Sequence, residues 1–147
     1  KKSQNIQSVK DMSNKVLGAQ AGSSGYLDFE AQPDLLKSQV KDQKANQYQS
    51  FNEALIDLKN DRIDALLIDR VYANYYLQSE GILNDYNVFS AGFESESFAV
   101  GVRPADKTLL AALNKAFVAL YKEGKFQEIS KKWFGEDVAT SQVKNQE

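Results

Sequence analysis

Cysteine and histidine are both missing from the 147 residues, and each absence closes off chemistry. Without cysteine there is no disulfide, thiol nucleophile or thiolate metal ligand, and without histidine every His-based triad and every Cys/His zinc site is excluded. Long apolar runs are missing as well. None approaches the ~20 residues of a membrane span, and Lys1-Lys2-Ser3-Gln4-Asn5 lacks the apolar core of a signal peptide, so any targeting segment is expected outside this chain. Charge of one sign is scarce too: the net charge is −2, with 18 basic and 20 acidic residues interspersed, which leaves no electrostatic footprint for nucleic acid or an anionic membrane. Phosphate and dinucleotide loops are absent, because Gly18, Gly22 and Gly25 do not follow the G-x-G-x-x-G spacing and no G-x-x-x-x-G-K-[ST] occurs. Glu94 and Glu96 read as a solvated connection rather than an acid/base pair. No nucleophile stands beside a base, so the expectation is no catalytic residue, no metal, no cofactor and no enzyme.

What is present is an ordinary soluble composition, 42% hydrophobic and 26% charged, over a length that supports one core. Ile6, Val9 and Met12 suggest a short helical turn ahead of a strand at 16–21. A helix over 24–31 follows, burying Tyr26 and Phe29; Pro33 stops it and opens a second short helix carrying Leu35 and Leu36. A strand is expected at 46–49. Ser50 then caps a helix whose Glu53 completes the capping-box pattern, and Phe51, Ala54, Leu55 and Leu58 share one face. Residues 63–68 read as a buried parallel strand, and the next helix has Val71, Tyr72, Tyr75 and Tyr76 as its apolar stripe. Those tyrosines read as core and rim, with one of them able to line a cleft.

Further strands are expected at 86–89 and, from the alternation of Phe98, Val100 and Val102, at 97–103 up to Pro104. The strongest helix covers 106–123, with Leu109, Leu110, Leu113, Ala116, Phe117, Leu120 and Tyr121 on one side and Gly124 as its stop. A last short helix carries Phe126, Ile129 and Trp133. The alternation of strand and helix argues for an α/β fold: an open, mostly parallel sheet with helices on both faces.

Ligands of open α/β sheets sit outside the carboxyl ends of the strands. Two polar positions fall there. The Gly/Ser turn Gly22-Ser23-Ser24 follows the first strand and starts a helix, whose N–H groups and dipole suit an anion. Asp69 follows the buried strand and offers an acceptor for a cation. Both have a plainer role as helix caps, and capping is compatible with binding because the cap stands at the anion site. Together they supply what the two charged ends of an α-amino acid require.

The chain resembles the polar amino-acid-binding proteins of ABC importers, the type II periplasmic or lipoprotein solute-binding fold. The resemblance is carried by Gln7-Ser8-Val9-Lys10-Asp11-Met12, Gln20-Ala21-Gly22-Ser23-Ser24, the run from Asp61 through Asp64 to Asp69, Val100-Gly101-Val102-Arg103, and Glu123-Gly124-Lys125-Phe126 leading to Trp133-Phe134-Gly135. It implies that a polar amino acid is clamped between two lobes, with Ser23 and Ser24 on its carboxylate in the loop containing Gly22, Asp69 on its α-amino group, and Gln20 and Ile68 beside its side chain. Some relatives have lysine where Gln20 stands, and many have glycine in the turn held here by Asn60-Asp61.

The resemblance also implies that residues 1–96 form the second, ligand-binding lobe. Residues 97–136 would be a crossover strand and carboxyl-terminal helices that normally complete lobe one, and 137–147 a disordered tail. The amino-terminal lobe, which supplies an arginine for the carboxylate, is missing, so the chain is expected to be a truncated fragment. Half a clamp should bind only with dissociation constants around millimolar or weaker. The helix at 106–123 then has an apolar face to cover, either on the remaining sheet or in a homodimer, including a domain-swapped one. The implied partners are the amino acid, the membrane permease and the missing lobe. The location is extracytoplasmic, in a periplasm or lipid-anchored at a Gram-positive surface. A receptor's sensor domain and a dehydratase-like enzyme of the same fold are the alternative readings, and the sequence does not name the amino acid.

Overall fold

A computed structural model describes residues 1–144. The chain divides into two compact units, Lys1–Glu94 and a second that begins at Ser95.

The first unit is built on three short parallel strands, β1 (Leu17–Gln20), β2 (Ala45–Tyr48) and β3 (Ala65–Leu67), in the order β2-β1-β3. Leu17 to Gln20 lie opposite Ala45 to Tyr48 on one side, and Leu17 to Ala19 opposite Ala65 to Leu67 on the other. β1 is the central strand and is the apolar one, with Leu17, Gly18 and Ala19 all buried, as a strand covered on both faces requires. Gly18 is there for lack of room: a Cβ on it would stand 2.5 Å from Ile63 Cδ1 and 3.1 Å from Tyr48 Cε2.

Three helices follow the strands, α1 (Ser24–Ala31), α2 (Phe51–Lys59) and α3 (Arg70–Ser79). Each starts at a side-chain cap: Ser23, Ser50 and Asp69 accept from the N–H of Tyr26, Glu53 and Tyr72 respectively. At α2 the capping pattern differs by one residue, since the Glu53 carboxylate reaches back to the N–H of Gln49 (3.1 Å). The apolar side chains divide into two clusters. In one, Phe29 of α1 packs with Ile6, Met12, Leu17, Leu36 and Val40. In the other, Leu55 and Leu58 of α2 pack with Leu77 of α3, Ile63 and Tyr86. Helices on both faces and a parallel sheet are thus observed, and α1 occupies the expected residues.

Four local expectations differ. Residues 33–39 form hydrogen-bonded turns instead of a second helix, with Ser38 N–H donating to Pro33 C=O (2.9 Å); Leu36 is buried all the same. On α3 the buried side chains are Ala73 and Leu77, one turn apart, while Tyr72 and Tyr75 lie exposed. Tyrosine tolerates a wet rim, whereas the small Ala73 allows close packing. Residues 86–89 are not a strand: a 3-10 turn at Leu83–Asp85 precedes them, Tyr86 is buried in the second cluster, and Asn87 Nδ2 donates to Ile6 C=O (2.9 Å). Nor are residues 97–103 a strand, because no ladder pairs them and Phe98 is 74% exposed. An alternating pattern makes a strand only where a neighbour accepts its hydrogen bonds.

The second unit holds α4 (Lys107–Lys122) and α5 (Lys125–Phe134), joined by Gly124 at φ 77°, and a short α6 (Ser141–Lys144). Phe126 packs edge-on to Phe117, ring centroids 6.4 Å apart, and lies 6.2 Å from the Tyr121 ring. Leu109, Leu110, Ile129 and Trp133 remain exposed. The tail expected to be disordered contains α6 over part of its length; residues 145–147 lie outside the described residues.

Candidate functional site

The strand order places a chain reversal at β1. From β1 the chain moves to β2 on one side, and from β2 it returns past β1 to β3 on the other. At such a switch point the loops leaving two neighbouring parallel strands diverge and open a crevice at their carboxyl ends. The crevice here lies between the loop after β1, which contains Gln20, Gly22, Ser23 and Ser24, and the loop after β3, which contains Ile68 and Asp69. Strands paired this way run about 4.8 Å apart, comparable with the width of a small zwitterion. All six residues expected from the sequence therefore stand on one edge of the sheet.

Local hydrogen bonds shape the first loop. Ala21 N–H donates to Tyr48 C=O (2.8 Å), which carries the β1–β2 pairing one step past the strand. Gly22 then turns the chain at φ 70°, with no atom within 4 Å of where a Cβ would be. Ser23 Oγ accepts from Tyr26 N–H (3.2 Å) and donates to Gln20 C=O (2.9 Å). That arrangement commits the Ser23 hydroxyl proton to the turn, so Ser23 acts here as the helix cap. Leu27 N–H is bonded to Ser23 C=O (3.0 Å). The N–H groups of Tyr26 and Leu27 are thus both taken up by Ser23. Gly25 packs on Leu67, whose Cγ would be 3.5 Å from an added Cβ, so α1 lies against the end of β3.

In the second loop Asp69 Oδ1 accepts from Tyr72 N–H at 2.8 Å. A carboxylate has two oxygens and about four acceptor sites, and the cap uses one of them. Asp69 is partly buried.

The rim includes residues that the sequence did not single out as a group. Gln20 Nε2 donates to Gln49 C=O (3.2 Å), bridging the ends of β1 and β2. Tyr72 Oη donates to Asn52 Oδ1 (3.2 Å), and its ring lies 5.2 Å from that of Phe51, tilted by 39°. Tyr72 is 37% exposed. Asn52 is recognisable only once α2 and α3 are known to start side by side, since nothing in the local sequence pairs it with a tyrosine 20 residues away.

Electrostatics elsewhere in the unit are structural. Asp57 accepts from Arg62 Nη1 and from Tyr48 Oη, both at 2.9 Å. Chiefly through the Arg62 bond, its carboxyl is held below the usual range, while burial and then Asp57 push the Tyr48 phenol up. Two surface concavities, about 440 Å3 beside Lys1, Lys59 and Tyr86 and about 500 Å3 beside Tyr26, Glu30 and Lys44, include none of the six crevice residues. The strand-end site lies apart from both hollows. Among the described residues no group of His, Cys, Asp or Glu is placed to hold a metal ion. No described helix is long and apolar enough to cross a membrane.

Comparison with known proteins gives a consistent result. Residues 3–136 match the model of the bacterial extracellular solute-binding proteins, family 3. The chain is 30% identical over 134 residues to the arginine-binding extracellular protein ArtP of Bacillus subtilis, which covers 91% of this chain and 50% of that protein. A polar amino acid ABC uptake transporter substrate binding protein from Streptococcus thermophilus superposes with a TM-score of 0.82 at 62% identity, over 98% of this chain and 55% of its own. An ABC uptake transporter substrate binding protein from Streptococcus pneumoniae, solved with bound histidine, has a TM-score of 0.77 at 70% identity, over 96% and 57%. The chain spans about half the length of the curated relatives it matches.

Proposed function

Because the chain belongs to the bacterial extracellular solute-binding proteins, family 3, we propose that it forms the amino-acid-gripping lobe of a substrate-binding protein that serves an ABC importer. The observation that carries this reading is the adjacency of two loops at one switch point: the start of α1 after β1 and Asp69 after β3. The Ser24–Gly25 step and the positive end of the α1 dipole suit the carboxylate of an α-amino acid. Asp69 suits its ammonium group, and Gln20 and Ile68 border the side chain. Ser23 and Gly22 hold the turn that presents the donors.

The remainder of the clamp comes from a second lobe in a protein about twice this length, and a membrane permease receives the loaded protein. Relatives are named as extracellular or periplasmic, which supports an extracytoplasmic setting, with lipid anchoring as one means of retention. The role is binding without turnover. Histidine and arginine, named for similar proteins, are the first ligands to try. Calorimetric titration of the full-length protein is expected to give saturable amino-acid binding, and titration of these 147 residues alone only about millimolar or weaker affinity. Absence of binding of any amino acid to the full-length protein would overturn the proposal.

A further inference from the structure

Tyr72 occupies a place that the proposed zwitterion clamp does not use. Its N–H holds Asp69 Oδ1 at 2.8 Å, so its Cα lies one helical turn from the carboxylate assigned to the ammonium group. Its ring is not free to swing. Phe51 lies against it at 5.2 Å between centroids, and Asn52 Oδ1 takes its hydroxyl proton at 3.2 Å. Both partners come from the first turn of α2, which begins beside the carboxyl end of β2. The ring is nonetheless 37% exposed, while Ala73 and Leu77 of the same helix are buried. An aromatic ring fixed by a hydrogen bond on one end and a second ring on its flank, yet left accessible beside a binding crevice, is arranged to present its remaining face.

We propose that Tyr72 is a specificity-determining residue, with Asn52 and Phe51 as the residues that position it. The inference rests on the amino-acid-binding reading of the crevice and deepens it. A ligand whose ammonium group sits on Asp69 has its side chain within reach of the adjoining first turn of α3. A fixed tyrosine face attracts a planar or cationic group there, by electrostatic attraction to the ring quadrupole and by stacking. It gives little to a methyl or hydroxymethyl side chain too short to reach it. Gln20, tied to Gln49 C=O, presents a polar amide on the β1 side of the same space. Tyr72 therefore sets how strongly the site ranks long cationic or planar side chains above small ones, and does so separately from the grip on the backbone charges.

The test is a calorimetric titration of the full-length protein with L-arginine, L-histidine, L-glutamine and L-alanine, before and after Tyr72→Ala, Tyr72→Phe and Asn52→Ala. Tyr72→Ala is expected to weaken arginine or histidine about five- to thirty-fold and glutamine, with its planar but uncharged amide, by less, while changing alanine by less than about two-fold. Asn52→Ala is expected to move the same ratio in the same direction by less, because it releases the ring without removing it. Tyr72→Phe keeps the ring face and should stay close to Asn52→Ala. Upfield ring-current shifts of the bound ligand's side-chain protons provide a second readout, present in the unsubstituted protein and lost in Tyr72→Ala. Affinities that fall equally for all ligands, or not at all, with ligand shifts unaltered, overturn the assignment of Tyr72 and leave the clamp standing. Failure of the unsubstituted protein to bind any amino acid overturns both.

Discussion

Replacing Asp69 by asparagine separates its observed role as a helix cap from the ligand role proposed for it. As a cap, Asp69 Oδ1 accepts one hydrogen bond from Tyr72 N–H at 2.8 Å, and asparagine carries an equivalent oxygen and caps about as well. The loss to the fold is then limited to the interaction of a negative charge with the start of α3, about 0.3–1 kcal/mol. In the proposed ligand role the carboxylate would meet an ammonium ion in a partly buried setting, and a hydrogen bond of that charged kind contributes about 1.5–3 kcal/mol. At 1.4 kcal/mol per decade this is a loss of about 10- to 150-fold in affinity. Asp69→Ala removes both roles, adding about 1 kcal/mol of destabilisation from the lost cap. Calorimetry on the full-length protein gives the affinities and urea unfolding the stabilities. If Asp69→Asn binds amino acids within two-fold of the unsubstituted protein, Asp69 is a cap and nothing more, and the assignment of the ammonium site fails.

Phe29 has no exposed surface and sits at the centre of the cluster under α1, so Phe29→Ala should cost about 3–5 kcal/mol, read as a fall in the urea midpoint; a cost under 1 kcal/mol would contradict the packing. Gly22→Ala forces a Cβ onto φ 70° and should destabilise by about 1 kcal/mol with no steric contribution, since the space is open. Asp57 titrates below the usual carboxylate range because Arg62 and Tyr48 hold its charged form. The unfolded chain therefore takes up the proton first as pH falls, so this contribution is complete above about pH 4–5 and is lost as pH drops through the lowered folded value. Urea midpoints between pH 2 and 6 should rise less steeply in Asp57→Asn, and less steeply at high salt, because Arg62 is 68% exposed; identical slopes in both proteins would refute it.

Several features were legible from single residues. Ser23, Ser50 and Asp69 each mark a helix start because a short side-chain oxygen satisfies a donor that the helix cannot, and Pro33 ends α1 for the converse reason. The short apolar run starting at Val16 marks β1. Legibility failed where an element depends on a distant neighbour. Residues 97–103 alternate correctly but have no strand beside them, and the stripe of α3 was misplaced because tyrosine scores as apolar while Ala73 and Leu77 do the packing. In the proposed site, the two loops that follow β1 and β3 are readable from strand ends alone. The joining of Asn52 to Tyr72 is not, because it arises from how two helices lie together rather than from any local pattern.

Asp64 closes the opposite end of the sheet from the crevice. Its carboxylate takes the N–H of Val16 at 2.7 Å, and its own N–H donates to Val16 C=O at 2.9 Å. β1 and β3 are thus fastened together at the point where both enter the sheet, by two residues 48 positions apart in the chain. Sliding β3 by one residue would shift its far end by about 3.3 Å and turn each of its side chains to the other face. The spacing between the α1 start and Asp69 is consequently set from the bottom of the strands, and the affinity of the proposed site becomes a gauge of strand alignment measured several residues away.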